Sequence, residues 1–150
     1  MQDQTLGTIF VVIFPVFFVT VWVLVSYVLS FLSGWHSLAR KFRNDTPPTA
    51  NARAAGPLFY RVNLNDWVGY SSVIRIINAP QGMYFSVVFP FRMGHPRIFI
   101  PWDQIKISKT KRWWRNYLIL TLGTEEQIPM RISEAMAREV GLEASYYDMK

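Results

Sequence analysis

The sequence predicts a membrane-anchored α+β chain. One N-terminal transmembrane helix is followed by a small antiparallel β-sandwich or partly open barrel, with one helix at its C-terminal end. Three observations predict this. Leu6 to Trp35 contains no Asp, Glu, Lys or Arg. From Leu58 onward, short β-branched or alternating runs recur between Gly, Pro and Asn signals. Ser133 precedes a helical stretch that Gly141 closes.

The anchor, residues 6–33, is the firmest element. Leu6 to Leu32 would extend about 40 Å as a helix at ~1.5 Å per residue. That exceeds the roughly 30 Å of bilayer hydrocarbon, so it crosses with tilt or with its ends in the headgroups. A dozen central Val, Leu, Ile and Phe residues favour insertion by roughly 5 kcal/mol. The leading Met-Gln-Asp-Gln carries no Lys or Arg, the apolar run is long for a signal sequence and no small-residue cleavage site follows it, so a retained anchor is expected. Pro15 marks either a local bend or a packing notch for another helix. Trp22 lies inside the run, facing lipid or a partner helix.

Flanking charge sets the expected orientation. Residues 1–5 offer only Asp3, whereas Arg40, Lys41 and Arg43 follow the apolar run. The positive-inside rule then places the N-terminus outside and the C-terminal domain in the cytoplasm, with the anchor in the cell's inner membrane. Residues 34–43, GWHSLARKFR, place Trp35, Leu38, Ala39 and Phe42 at i, i+3, i+4, i+7 on one apolar stripe. That stripe fits either an interfacial helix lying in the headgroup boundary, with Trp35 at interface depth, or a simple continuation of the transmembrane helix. Residues 44–57, with Pro47-Pro48 and Gly56-Pro57, form a linker whose flexible reach is about 20 Å. Asn44-Asp45-Thr46 matches a glycosylation sequon, which has no meaning on a cytoplasmic face.

Within residues 58–150, strands are expected at Leu58–Asn65, Val68–Ile77, Met83–Phe89, Arg97–Ile100, Ile105–Ser108, Tyr117–Leu122 and Gln127–Ile132. Pro129 demotes the last to an edge or bulge. Ser133 caps a helix over Glu134–Val140, with Met136 and Val140 toward the sheet.

Composition narrows the chemistry. Net charge is +6 and Cys is absent, so disulfides and thiolate metal sites are excluded. A basic chain raises nucleic acid as a partner, but beside an anchor the same charge points instead to anionic lipid headgroups or an acidic protein. The densest cluster is Lys106, Lys109, Lys111, Arg112 and Arg115 around Trp113-Trp114, at an expected hairpin loop. Two readings stand for it: a loop docking on the bilayer or an acidic partner, or a solvated loop whose tryptophans pack under the core. Phe91–Pro96, FRMGHP, reads as a tight turn in which His95 and Arg92 bond backbone carbonyls; a catalytic alternative needs His95, Arg92 and Asp103 to converge. Asp103 is expected to cap the Ile-Pro-Trp-Asp-Gln-Ile turn, Trp102 to fill core or strand edge, and Glu125-Glu126 to be a solvated pair. No nucleophile elbow, phosphate loop, dinucleotide fingerprint or metal spacing is present, so neither enzyme, metal nor cofactor is expected.

GWHSLARKFR together with GMYFSVVFPFRMGHPRIFIPWDQIKIS resembles an uncharacterised family of small bacterial single-pass membrane proteins. The shared pattern is Gly-Trp-x-x-Leu-Ala-x-x-Phe-Arg, then Phe-Arg-x-Gly-His-Pro, then Ile-Pro-Trp-x-x-Ile, over about half of the chain. The resemblance implies architecture rather than activity. Ile-Pro-Trp-x-x-Ile followed by strands and one C-terminal helix is also similar to bacterial pleckstrin-homology-like and GRAM-like domains, which implies lipid-headgroup or protein binding. The expected function is a non-enzymatic accessory subunit of a larger membrane assembly; the alternative is a module that binds or senses anionic lipid.

Overall fold

The computed structural model describes residues 2–48, 52–55, 61–66, 68–112 and 114–142. The chain opens with α1 (Gln2–Leu32), which continues through Pro15. Ile9–Leu32, 24 residues, is long and apolar enough to cross a membrane; its 18-residue window of mean hydropathy 2.7 is 6% buried inside the molecule. Phe10, Phe14 and Phe18 stack along one face at i, i+4 spacing.

Ser33 and Gly34 turn the chain into α2 (Trp35–Phe42). Gly34 stands at φ 79, and a Cβ there would meet Ile128 Cδ1 at 2.5 Å. Only glycine lets the two helices turn this close to the sheet.

Nine strands follow: β1 (Arg53–Ala55), β2 (Arg61–Leu64), β3 (Val68–Ser71), β4 (Ile74–Ala79), β5 (Gly82–Val87), β6 (Ile98–Pro101), β7 (Ile105–Arg112), β8 (Arg115–Leu122) and β9 (Ile128–Ser133). They make two antiparallel sheets, of four strands in the order β1-β4-β5-β6 and of five in the order β3-β2-β9-β8-β7. The chain closes its described part with α3 (Glu134–Val140), capped by Ser133 Oγ, which accepts from Met136 N at 3.3 Å. One core takes Ile76, Met83, Phe85, Ile98 and Ile100 from one sheet and Leu64, Leu118, Leu120, Met130 and Ile132 from the other. Met136 and Val140 of α3 join it, as the helical spacing predicts.

Several expectations need correction. Val68–Ile77 is not one strand: Ser72 takes φ 59, and the two halves enter different sheets. A strand, β1, pairs with β4 inside the expected linker (Arg53↔Asn78, Ala55↔Ile76). The strand holding Pro129 is central rather than an edge, because Pro129 sits just past the β2 pairing (Asn63↔Arg131, Leu64↔Met130). There the chain of β2 is already turning at Asn65 and Asp66, both at positive φ, and Asn65 N donates to Pro129 O at 2.9 Å. The N–H that proline lacks faces this turn and breaks no ladder. The tail beyond residue 142, the start of the expected strand at Leu58–Tyr60, and Trp113 lie outside the described residues.

The largest correction concerns α2. Its apolar stripe faces the β domain: Trp35 and Leu38 are 0% exposed, Ala39 is buried and Phe42 packs on the same core. The helix is amphipathic because it roofs a core, and Trp35 is not at an outer surface. Asn44 N donates to Arg97 O at 3.0 Å, and Arg43 bridges Ile98, so the chain leaving α2 runs along β6 before it reaches the linker.

Candidate functional site

The structural centre of the molecule is the junction between the end of α1 and the β domain. Ser26, Ser30 and Ser33 lie on one helical face at 5%, 1% and 0% exposure. Such a stripe of small polar residues turns toward protein, because a bare hydroxyl has few partners elsewhere on an apolar helix. Ser26 Oγ bonds back to Trp22 O within the helix. Ser30 Oγ donates to Gly94 O at 2.5 Å. Ser33 Oγ meets the Tyr70 hydroxyl of β3 at 3.0 Å.

His95 closes the network. It is 2% exposed, with Nδ1 3.0 Å from Met93 O and Nε2 2.9 Å from the Tyr70 hydroxyl. A carbonyl only accepts, so Nδ1 carries a proton and neutral His95 accepts from Tyr70 through Nε2. Burial pushes the His95 pKa down, partly offset by the carbonyls of Met93 and Phe91. Burial also pushes Tyr70 up, against a smaller opposing effect of Ser33. Trp35 stacks edge-on to His95 at 5.4 Å and donates Nε1–H to Pro96 O at 3.0 Å.

The loop that carries His95, residues 88–97, runs back along α1. Gly94 has φ +75, and a Cβ there would sit 3.2 Å from Tyr27 Cα and 3.1 Å from its ring. Phe91 reaches further along the helix, its ring 4.9 Å from Trp22. Between this loop and the helices lies an open cleft of about 520 Å³, whose lining includes Tyr27, His36, Arg43, Phe89, Arg92 and Met93.

The residues singled out in the sequence are distributed over this frame. Trp22 is half-buried against Phe91, and Trp35 is inside the core. Arg40 is exposed. Lys41 pairs with Glu125 at 2.8 Å, and this contact raises the lysine pKa and lowers that of Glu125. Glu126 stands 4.0 Å from the same lysine, so the expected solvated pair ties α2 to the β8–β9 turn. Arg43 pairs with Asp45 at 3.4 Å.

The basic cluster is spread along a long hairpin. Lys106, Lys109, Lys111 and Arg115 are exposed on β7 and β8, and Trp114 is 82% exposed at the tip rather than packed under the core. The Arg112 side chain and Trp113 are outside the described residues. Lys109 and Lys111 border a hollow of about 250 Å³ shared with Tyr117 and Glu134. The base of the hairpin, where Ile105 pairs with Leu122 and Leu122 with Ile128, adjoins the helix junction through Gly34 and Ile128. From Ile105 to Arg112 the strand covers about 23 Å at ~3.3 Å per residue. The cationic tip is therefore at the end of the hairpin remote from the Gly34 junction.

His95, Arg92 and Asp103 are not brought together. His95 is buried, Arg92 faces the open cleft, and Asp103 is exposed in a 3₁₀ turn (Trp102–Gln104) beyond β6. Asp103 accepts from the Gln104 side chain at 3.3 Å instead of capping through a following amide, while Trp102 bonds Ala79 O at the strand edge. Among the described residues, no three His, Cys, Asp or Glu cluster to hold a metal ion. Tyr70, Ser30, Ser33 and Tyr27 were not expected from the sequence; the serine stripe at i, i+4, i+7 was the signal that could have found this face. No protein-family model, curated protein or solved structure matches the chain.

Proposed function

We propose that this chain is a single-span, non-catalytic accessory subunit of a larger membrane assembly. In this reading α1 lies in the bilayer and the β domain stands on the cytoplasmic side, where Arg40, Lys41 and Arg43 follow the span. The observation that carries it is the junction itself. The Ser30–Gly94, Ser33–Tyr70–His95 and Trp35–Pro96 contacts hold the domain directly on the end of α1. One unit thus carries both an apolar helix and a cationic, Trp-tipped hairpin. An exposed cationic hairpin of this kind suits an acidic protein surface.

Gentle detergent extraction with crosslinking and mass spectrometry tests this. The full chain is expected to migrate with partner proteins, and charge reversal of Lys109, Lys111 and Arg115 to release them while the chain stays in the membrane. Migration as a lone monomer at native abundance overturns the proposal.

A second reading, recognition of anionic lipid, is favoured by the cleft in which His36, Arg92 and the Arg43–Asp45 pair gather beside Tyr27, leaving Arg92 as its cation without a carboxylate on the same loop. The full chain in vesicles with and without phosphatidylglycerol separates the two: loss of binding preference on Arg92→Gln supports lipid recognition, and an unchanged preference removes it.

A further inference from the structure

We propose that the loop Val88–Gly94 is a second membrane-embedded element, inserted beside α1 with its apolar tip against acyl chains. The inference rests on the reading of α1 as a membrane span, and adds a component that the span alone does not require.

Depth is the first argument. If the hydrocarbon boundary lies at Leu32, Trp22 is about 15 Å inside it at ~1.5 Å per residue. If the roughly 30 Å of hydrocarbon begins instead at Ile9, the boundary falls near Leu29 and Trp22 is still about 10 Å inside. Phe91 touches Trp22 at 4.9 Å, so the loop reaches hydrocarbon depth in either case.

Surface chemistry is the second. Phe89 is 83% exposed, Met93 49% and Phe91 36%, three large apolar side chains turned outward within five residues of the same loop. No Asp or Glu occurs from Gly82 to Trp102. Arg92, the charged residue of the tip, lines the cleft with His36, Arg43 and Asp45, which lie beyond the end of α1 on the headgroup side. A long arginine reaching toward headgroups from a buried stem is the arrangement that lipid tolerates.

Backbone accounting is the third. Irregular backbone survives at membrane depth only where its polar groups are satisfied by protein. The carbonyls of Val88, Arg92, Met93, Gly94 and Pro96 accept from Phe91 N, His95 N, His95 Nδ1, Ser30 Oγ and Trp35 Nε1. Pro90 and Pro96 have no N–H to satisfy. Ser30 and His95 thereby acquire a purpose: they close the carbonyls of Arg92, Met93 and Gly94, where the loop lies against α1.

The chain has no cysteine, so single nitroxide labels are placed without background. Full-length chains carrying Phe89→Cys, Met93→Cys, Val28→Cys or Ser108→Cys are labelled and reconstituted in phosphatidylcholine–phosphatidylglycerol vesicles. Collision of each label with oxygen, which concentrates in hydrocarbon, and with an aqueous nickel chelate is then measured. Val28 is an exposed position on α1 and Ser108 an exposed position on β7, and they set the two limits. The oxygen-to-nickel ratio at 89 and 93 is expected to shift to the Val28 level. Ratios at the Ser108 level while Val28 remains in lipid overturn the inserted loop and leave the span intact. Labels at 89 and 93 shielded from both reagents mean that protein covers the loop, which also overturns it. A water-exposed Val28 overturns the span and the loop together.

Discussion

The imidazole of His95 joins β3 to the 88–97 loop through its two nitrogens, with no carboxylate beside it; its neighbours are Tyr70, Trp35 and backbone carbonyls. Because burial holds the folded-state pKa below the ordinary 6.5, the unfolded chain binds the proton first as pH falls. The stability that neutral His95 contributes is thus present above about pH 6.5 and is lost as pH drops through the folded value. The thermal midpoint of the detergent-solubilised chain should fall on mild acidification, and His95→Gln should flatten that fall, measured by circular dichroism across the pH series. Gly94 makes a second prediction at this scale. Its φ of +75 and the Tyr27 atoms at 3.1–3.2 Å leave no room for a side chain. Gly94→Ala should cost about 1–3 kcal/mol from strain and overpacking, read as a lower denaturation midpoint.

Among the elements, α2 has the most to say. Trp35 is the largest fully buried side chain of the core, and it arrives from outside the β-rich segment. Trp35→Ala should remove about 3–5 kcal/mol, a large part of the total for a domain of this size. For the same reason a fragment starting at Leu58 should give no dispersed NMR spectrum, whereas one starting at Gly34 should. The Lys41–Glu125 pair works differently: with side chains 39% and 80% exposed, it is largely screened by water. Lys41→Met should leave the thermal midpoint close to that of the parent.

These elements also show what a sequence discloses. The uncharged run of α1, the alternation of Tyr117–Leu122 and the Ser133 cap are local patterns, and each appears where those patterns put it. The amphipathic stripe of α2 was legible too, but a stripe states only that something apolar covers it, and lipid and a core serve equally well. The break at Ser72 depends on a single backbone conformation, and β1 on a pairing with β4 that the composition of Arg53–Ala55 does not announce. Tyr70, His95 and Ser33 are separated by many residues along the chain, so no local window could have joined them.

At a larger scale, the exposed apolar surface of α1 and the exposed cations of the β7–β8 hairpin belong to different elements. The full chain should float with vesicles and resist release by salt, while the fragment from Gly34 onward should stay in the supernatant after high-speed sedimentation. A full-length chain that also stays in the supernatant without detergent would refute the membrane reading.

A domain fastened to its span by buried contacts cannot swing independently of it. If α1 spans a bilayer as proposed, the hairpin moves with a helix seated in lipid. A span longer than the hydrocarbon is thick takes a tilt that depends on bilayer thickness, and a change of about 10° moves a tip ~23 Å beyond the hairpin base by about 4 Å relative to that base. That is close to the width of one strand spacing, enough to bring a charge into or out of register with a neighbour. Thickness, a property of the surrounding lipid, would thereby be converted into the position of a charge in water.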